Sequence, residues 1–497
     1  MGENGADKHR YRSSFGATIL FSGVQVYQIL ISVIKSKFVA LFIGPAGMGI
    51  ASLLSSTTDL LSAATNFGLR TSGVKSVASA YSEGDYSVIA KTITVLRRLI
   101  LITGLIGTLL CIALAPIWSQ MSFGNHDYTI SFIIVSLVIL FGQLNSGELA
   151  LLQGMRQQKR LARINVIGQT VGLLTTVPLY YFYGIRAIVW VLVLSAFITY
   201  VITRIATWRV DVEKVNLSWR ETFSLGKEMI KLGFFLSLQF FMGVIITYVV
   251  RNFVSVHGGV DEVGLYSAGT SIVSTYLGLV FSAIATDYFP RLAAAKNKNE
   301  MSLSVHTQAE LTILLLTPLA VAFIVFCKPV ILLLYSNDFL PIEYMMYWSI
   351  GAVLLQAMGW ALSYTFLAKA KPVYFFLNEL VSNAWGLPIK LLFYNYWGLT
   401  GFGMATMFCY GLYLIQVLIV AKKLFGINYD QKIWKQFIIL NIPVLFAAIV
   451  KILLSGLAGY IIGVLVLLIS TIYVLFLLDK KLDIRSLLRL KFGKQGS

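Results

Sequence analysis

Two basic residues occupy matching positions inside two apolar segments of the chain. Lys37 opens the stretch that ends at Gly49, and Arg251 opens the stretch that ends at Gly264. Each stretch continues with an apolar run, a glycine-rich turn and a new apolar run, offset by one inserted residue. A cation near the middle of a bilayer helix costs roughly 2.5–3.5 kcal/mol on insertion scales, so its presence usually has a function. Two such cations in two copies of one unit predict a cavity that receives a negatively charged molecule, which favours transport.

Further basic residues extend this set of candidate cations. Seven fall outside the regions expected to face the cytoplasm: Lys35, Lys37, Arg186, Arg251, Lys328, Lys390 and Lys451. Three of them lie near the ends of apolar segments, where long side chains reach the interface. The four that we expect in the cavity, as binding residues for an anionic substrate, are Lys37, Arg251, Lys35 and Lys390. The alternative for each is an ion pair with a nearby carboxylate, or a side chain that extends to the interface.

Carboxylates embedded in apolar segments form a second set of candidates. They are Asp59, Glu148, Asp287, Glu310 and Glu379. A buried carboxylate can titrate near neutral pH and exchange a proton during transport, so these residues are candidates for ion coupling or gating. The other interpretation, a permanent partner for a lysine or arginine, stays open for each of them.

The elements that position these residues are apolar helices. The 497 residues are 57% hydrophobic and 12% charged, with a mean hydropathy of +0.78, whereas soluble domains are about 25% charged. Apolar runs of about 20 residues, each long enough to cross a bilayer as a helix, recur along the chain. We predict an all-α polytopic membrane protein with about 14 transmembrane helices, at 16–41, 47–68, 93–118, 129–152, 164–184, 186–205, 232–254, 263–287, 308–335, 345–368, 373–396, 398–421, 436–454 and 457–478.

The first twelve helices divide into two similar sets of six. An even number of helices gives both copies the same orientation, so they form a parallel repeat around a central cavity. The expected organisation is an N-lobe (1–205), a cytoplasmic inter-lobe loop (206–231), a C-lobe (232–421), two extra helices (436–478) and a basic cytoplasmic tail (479–497).

The formal net charge of +18 is unevenly distributed. If the N-terminus is cytoplasmic and the helices alternate, the inside segments and the helix ends that adjoin them hold 33 of the 40 Lys and Arg residues. This is the positive-inside pattern, and it predicts that both termini are cytoplasmic. The basic loops are therefore interpreted as topology signals and contacts with anionic lipids, and not as a nucleic-acid surface.

Several classes of function are excluded or disfavoured by what the chain lacks. The outward loops are at most about ten residues, too short for an external catalytic domain. Gly226-Lys227 lacks the other residues of a phosphate-binding loop, so ATP hydrolysis by that route is excluded. The three cysteines and four histidines show no paired spacing. We expect no metal or organic cofactor, and a proton or another ion is the candidate driving species.

Five segments in order resemble the polysaccharide-transporter (Wzx-type) flippase family, which includes carriers of O-antigen and enterobacterial common antigen units. They are Lys37–Gly49, Gly73–Lys75, Phe123–Tyr128, Asp261–Tyr266 and Tyr288–Leu292. The resemblance implies the fold of the multidrug/oligosaccharidyl-lipid/polysaccharide exporter superfamily. It also implies that an undecaprenyl-diphosphate-linked oligosaccharide is flipped across the bacterial inner membrane to the periplasmic leaflet, with Lys37 and Arg251 on the diphosphate or an acidic sugar. Membrane lipids and polysaccharide polymerase or chain-length machinery are the partners it suggests.

Two alternatives stay open. The first is a multidrug/cation antiporter of the same superfamily, for which Asp59 and Glu148 could bind a cationic drug. A cavity with a net positive charge argues against that function. The second is a membrane-embedded glycan polymerase or ligase, which would normally carry a large outward loop with catalytic arginines or histidines. The internal repeat and the short loops disfavour it.

Overall fold

The computed structural model describes residues 3–208, 215–369, 371–454 and 456–482. Within these residues the regular structure is helical and no β-strand occurs, so the predicted all-α class is confirmed. The α-helices are α1 (Glu3–Thr65), α2 (Leu69–Glu83), α3 (Tyr86–Ala113), α4 (Ala115–Phe123), α5 (Thr129–Val135), α6 (Leu137–Gly154), α7 (Gln158–Tyr183), α8 (Ile188–Trp208), α9 (Trp219–Ile272), α10 (Gly278–Ala294), α11 (Lys298–Val325), α12 (Cys327–Leu334), α13 (Glu343–Gly351), α14 (Val353–Ala368), α15 (Pro372–Phe425), α16 (Gln431–Leu453) and α17 (Leu457–Leu482). Most of the predicted basic tail, from 483 onward, lies outside the described residues.

Four glycines bend the chain between consecutive helices. Gly44 (φ 59°, ψ −167°) lies in α1, Gly259 (φ 85°, ψ 174°) in α9 and Gly398 (φ 57°, ψ −142°) in α15. Gly184 (φ 54°, ψ −136°) joins α7 to α8. These combinations of φ and ψ are accessible almost only to glycine. The spacing from Gly44 to Gly259 equals that from Gly184 to Gly398 to within one residue, as expected for two copies of one unit.

The described residues contain nine helical stretches long and apolar enough to cross a membrane, and a further pair of helices bent by 41°. Four of the nine include one of the glycine bends: 23–65, 158–208, 219–282 and 372–425. Each of these is long enough for two crossings of a hydrocarbon core of about 30 Å. The chain is therefore a polytopic membrane protein. The count of fourteen helices stays a prediction, because length and apolarity alone do not fix how often a bent helix crosses.

The start of α9 is fixed by a capping box. The Ser218 hydroxyl accepts a hydrogen bond from the Glu221 backbone N–H at 3.2 Å, and the Glu221 carboxylate accepts one from the Ser218 N–H at 2.7 Å. The bond from the Ser218 backbone holds the pKa of Glu221 below its usual value. Because α9 begins at Trp219, the second half of the segment expected to be an inter-lobe loop is helical.

The described residues pack into two compact units. The first lies within residues 1–264 and 334–336, and the second within 265–333 and 337–497. The division into an N-lobe and a C-lobe stays a prediction. The core of the first unit includes Ile93 and Leu96 of α3, which pack with Leu151 of α6. In the second unit α11 packs against α14, α16 and α17 and is largely buried, although Leu303, Leu315 and Leu319 are exposed. The two extra C-terminal helices therefore cover a central helix of the second unit.

Candidate functional site

The two glycine-rich turns that follow Lys37 and Arg251 contact each other through their backbones. A Cβ atom added to Gly49 would come within 1.9 Å of the Val260 carbonyl oxygen. A Cβ added to Gly264 would come within 1.9 Å of the Pro45 carbonyl oxygen. Since real Cβ atoms do not approach carbonyl oxygens so closely, only glycine fits at both positions. The structure therefore brings the two matching segments together within the first unit.

Arg251 lies on α9 and is half-buried. One of its guanidinium nitrogens, Nη1, donates a hydrogen bond to the Ser52 carbonyl oxygen of α1 at 3.2 Å. Asp59 lies two turns further along the same face of α1, where its exposed carboxylate interacts electrostatically with Arg251. One surface of the first unit thus carries a predicted binding cation and a predicted coupling carboxylate.

Lys37 lies on α1 two turns before the bend at Gly44. Its side chain is half-buried, and Nζ donates a hydrogen bond to the Tyr335 carbonyl oxygen at 2.6 Å. Lys35 is also half-buried, and it makes no hydrogen bond or ion pair with the rest of the described chain. The two lysines point about 200° apart around the helix, because successive residues are separated by about 100°. The structure therefore gives these two neighbours different surroundings.

Buried polar atoms lie together next to Arg251. Within the described residues they include Trp118 Nε1, Ser122 Oγ, Tyr248 Oη and both amide atoms of Asn252. The Trp118 and Tyr248 rings meet edge to face, with centroids 6.1 Å apart. The Tyr248 hydroxyl also lies within hydrogen-bonding reach of the Asn252 and Ser122 side chains. The donors and acceptors of this polar cluster suit water or a polar ligand, and the sequence reasoning missed it.

Glu148 is held by two arginines. It is 4% exposed, and its carboxylate accepts bonds from Arg97 Nε at 2.9 Å and Nη2 at 2.8 Å, and from Arg204 Nη1 at 3.0 Å. The bonds from Arg97 are bidentate, the strongest geometry for this pair. The cluster joins α3, α6 and α8, and it matches the ion-pair interpretation of Glu148.

Glu148→Gln is expected to lower the free energy of unfolding by about 1–3 kcal/mol, because it leaves two arginines facing each other without a counter-charge. The measurement is thermal unfolding of the purified protein in detergent. The matched control is Glu228→Gln, since the exposed Glu228 forms no ion pair within the described residues. A variant as stable as wild type but unable to transport would instead support the coupling role.

The two other paired carboxylates lie in the second unit. Glu310 is 8% exposed and forms an ion pair with Lys481 of α17. Asp287 is exposed and lies 3.6 Å from Arg291, one turn further along α10. Both therefore have a cationic partner in this conformation.

Glu379 and Lys390 lie on the first half of α15. The Glu379 carboxylate accepts a hydrogen bond from the Tyr413 hydroxyl at 2.6 Å. Lys390 is half-buried beside Cys409, and it forms no ion pair with any described residue. These two candidates share a helix but do not pair with each other.

Only two of the residues that bind these carboxylates could have been recognised from the sequence. Arg97 and Arg204 fall inside predicted spans, yet they were attributed to the positive-inside pattern. No comparable signal pointed to Lys481 or Tyr413. Within the described residues, no group of three or more His, Cys, Asp and Glu side chains could hold a metal ion.

Comparisons with known proteins place this chain among transporters. A family profile described as "Polysaccharide biosynthesis protein" matches residues 38–343. The lipid III flippases of Escherichia coli (strain K12) and Shigella flexneri are each 23% identical over 349 residues, which is 69% of this chain and 82% of the relative.

Solved structures of two transporters are similar in fold. A structure described as lipid II flippase MurJ in an inward closed conformation has a TM-score of 0.72 at 14% identity, covering 94% of this chain and 100% of the other. An inward-facing multidrug resistance MATE family transporter of the MOP superfamily has a TM-score of 0.66 at 17% identity, covering 84% and 99%. At these identities the likeness shows the fold alone.

Proposed function

The chain belongs to the polysaccharide biosynthesis protein family, and from that membership we propose that it flips an undecaprenyl-diphosphate-linked oligosaccharide from the cytoplasmic to the periplasmic leaflet. The cargo is an O-antigen or a similar surface-polysaccharide repeat unit, and the membrane is the bacterial inner membrane, with both termini cytoplasmic. The resemblance expected from the sequence is confirmed at the level of the family. The named activity of the lipid III flippases supports the class of cargo.

The half-buried cation Arg251 is the observation that carries the proposal. A diphosphate cannot enter hydrocarbon cheaply, and charge-assisted hydrogen bonds from a guanidinium offset its desolvation. In the conformation described, Arg251 donates a hydrogen bond to the Ser52 carbonyl oxygen and interacts electrostatically with Asp59. Lys37, in the matching position of the other copy, is the proposed second phosphate ligand, and Lys35 and Lys390 are proposed for acidic parts of the glycan.

The polar groups beside Arg251 suit a sugar. Sugar rings present hydroxyl groups at their rims and C–H faces that stack on aromatic rings. Tyr248, Asn252 and Ser122 supply donors and acceptors, and Trp118 supplies an indole. Since the diphosphate joins the first sugar to the lipid, a cation and a sugar-binding surface are expected side by side.

Ion coupling is proposed for Glu379 and Asp59, neither of which forms an ion pair within 4 Å among the described residues. The Glu379 carboxylate accepts a hydrogen bond from the Tyr413 hydroxyl, and Asp59 interacts electrostatically with Arg251 over a longer distance. Glu148, Glu310 and Asp287 are ion-paired and therefore less suited to exchange a proton. Movement between leaflets is proposed to follow alternating access, in which the lobes rock about a central site.

A multidrug/cation antiporter is the second candidate. The similarity in fold to a MATE family transporter and the exposed carboxylate of Asp59 favour it. A glycan polymerase or ligase is not supported, because the named relatives are transporters. Polymerase and chain-length machinery are proposed only as partners that use the flipped unit.

Complementation is the experiment that tests the proposal. We expect the wild-type chain to restore surface glycan in a bacterial host deleted for its own flippase and supplied with the matching glycosyltransferases. The same cells are assayed for efflux of a cationic dye. Dye efflux without restored glycan, in hosts making several different glycans, would replace the flippase proposal with the antiporter.

A further inference from the structure

A groove with two arginines at its edge lies between the first turns of α7 and the end of α8, inside the first unit. Its cavity volume is about 350 Å³, and its only charged lining residues are Arg160 and Arg163. The rest of the lining is aliphatic: Ile164, Ile167, Ile202, Ile205 and Ala206. A neighbouring groove shares Arg163 and adds Lys159 and Val24. The feature is thus amphipathic, with cations at one end and hydrocarbon along its length.

The cations of this groove have no counter-charge within the described chain. Lys159, Arg160 and Arg163 appear in none of its ion pairs, and Arg160 Nη1 is buried without a hydrogen-bond partner. The three residues occupy the first two turns of α7, whose first turn has no acidic residue. The positive end of a helix dipole disfavours cations there. An anion bound in the groove would supply the missing counter-charge and would also offset the repulsion between these cations and the positive end of the helix dipole.

We propose that this groove binds an anionic phospholipid of the cytoplasmic leaflet. The guanidinium groups of Arg160 and Arg163 hold the headgroup phosphate, for which their forked donors are well shaped. One acyl chain follows the isoleucines of α7 and α8. Basic grooves between transmembrane helices on the cytoplasmic side are suited to such lipids. A topology signal alone requires only positive charge near water, and does not explain a guanidinium nitrogen buried beside an aliphatic groove.

The diphosphate of a polyprenyl carrier offers the same chemistry, but the position of the groove favours a resident phospholipid. Val24, which lines the adjoining groove, and Lys37, the proposed substrate cation, are both on α1. They are separated by about 20 Å along that helix, at 1.5 Å per residue. A headgroup held at Arg160 is therefore beyond the reach of Lys37, so the two sites can be occupied at once.

The test is lipid binding by the purified full-length chain, measured by native mass spectrometry with phosphatidylglycerol and, separately, with zwitterionic phosphatidylethanolamine. We expect wild type to prefer phosphatidylglycerol, and Arg160→Gln/Arg163→Gln to bind it about 10-fold more weakly or worse, since each tenfold corresponds to 1.4 kcal/mol. Arg160→Lys/Arg163→Lys should keep part of the preference. The control Lys75→Gln/Lys91→Gln removes two cations that line a different groove, and should bind as wild type.

Three outcomes would overturn the proposal. Wild type could bind both phospholipids equally, or the Arg160→Gln/Arg163→Gln variant could bind phosphatidylglycerol as wild type does. Undecaprenyl diphosphate could also displace phosphatidylglycerol from wild type in competition, which would make the groove a substrate site. Thermal unfolding of each variant checks that it is folded. Glycan export is a separate measurement, so failure of the lipid site and failure of the flippase activity can be told apart.

Discussion

Alanine in place of Arg251 is expected to reduce export of the lipid-linked glycan by about 10- to 100-fold. A hydrogen bond to a charged group contributes about 1.5–3 kcal/mol, and 1.4 kcal/mol corresponds to a factor of ten. Lys37→Ala should have an effect of similar size, and the double variant should export almost nothing. The measurement is surface glycan in a host deleted for its own flippase, normalised to the amount of the variant in the membrane.

Matched controls distinguish the loss of a cation in the proposed cavity from the loss of a cation at the membrane interface. Lys328 and Arg186 are exposed cations outside the expected cytoplasmic set, and their alanine variants should export normally. Lys37→Arg keeps the charge, so its rescue of export would show that charge matters more than shape. Normal export by the Arg251→Ala and Lys37→Ala variants would remove both residues from the substrate site.

Gly264→Ala is the second change with a large expected effect. Its Cβ would meet the Pro45 carbonyl oxygen at 1.9 Å, so the two turns must separate. Overpacking of this kind typically costs 1–3 kcal/mol, and here it falls on backbone atoms, which cannot rotate away as a side chain can. We expect a lower unfolding temperature and loss of export. Gly49→Ala meets Val260 in the same way, and the double variant should show less than the sum of the two effects, because both act on one contact.

The control for this prediction is Gly142→Ala. Gly142 lies inside α6 with no atom near the position of an added Cβ. Alanine there should be neutral or stabilising by up to about 1 kcal/mol, because it is the better helix former. If Gly264→Ala unfolds at the wild-type temperature and exports normally, the contact between the turns has no role in stability or transport.

Hydropathy and glycine spacing predicted much of the fold. Apolar runs long enough to cross a bilayer show directly in composition, and the glycines at 44 and 259 lie in segments already recognised as copies. The helical start of α9 at Trp219 was not predicted, since a charged, mixed sequence resembles a loop. Its capping pair, Ser218 and Glu221, was nevertheless a readable signal.

The site was predicted less completely than the fold. Lys37 and Arg251 could be recognised from the sequence, because a charged residue inside an apolar segment is costly to bury. Lys37 and Arg251 donate hydrogen bonds to the backbone carbonyl oxygens of Tyr335 and Ser52, respectively. Since every residue possesses such a group, no pattern of residue types could indicate these two acceptors. The contact between Gly49 and Val260 joins parts of the chain about 200 residues apart and depends on tertiary packing. The roles of the cations in substrate binding stay predictions.

The bends at Gly44 and Gly398 have a consequence for how the protein is made. Each joins two apolar arms with almost no intervening loop, and no charged residue occurs at 42–46 or 396–400. Insertion of either bend therefore does not require a charged loop residue to cross the bilayer. If each arm crosses the bilayer separately, as the predicted count of fourteen helices requires, both arms can enter the membrane together as a helical hairpin during synthesis. Lys37 then enters as part of a stretch of 43 apolar-rich residues, 23–65, whose favourable transfer offsets the cost of its charge.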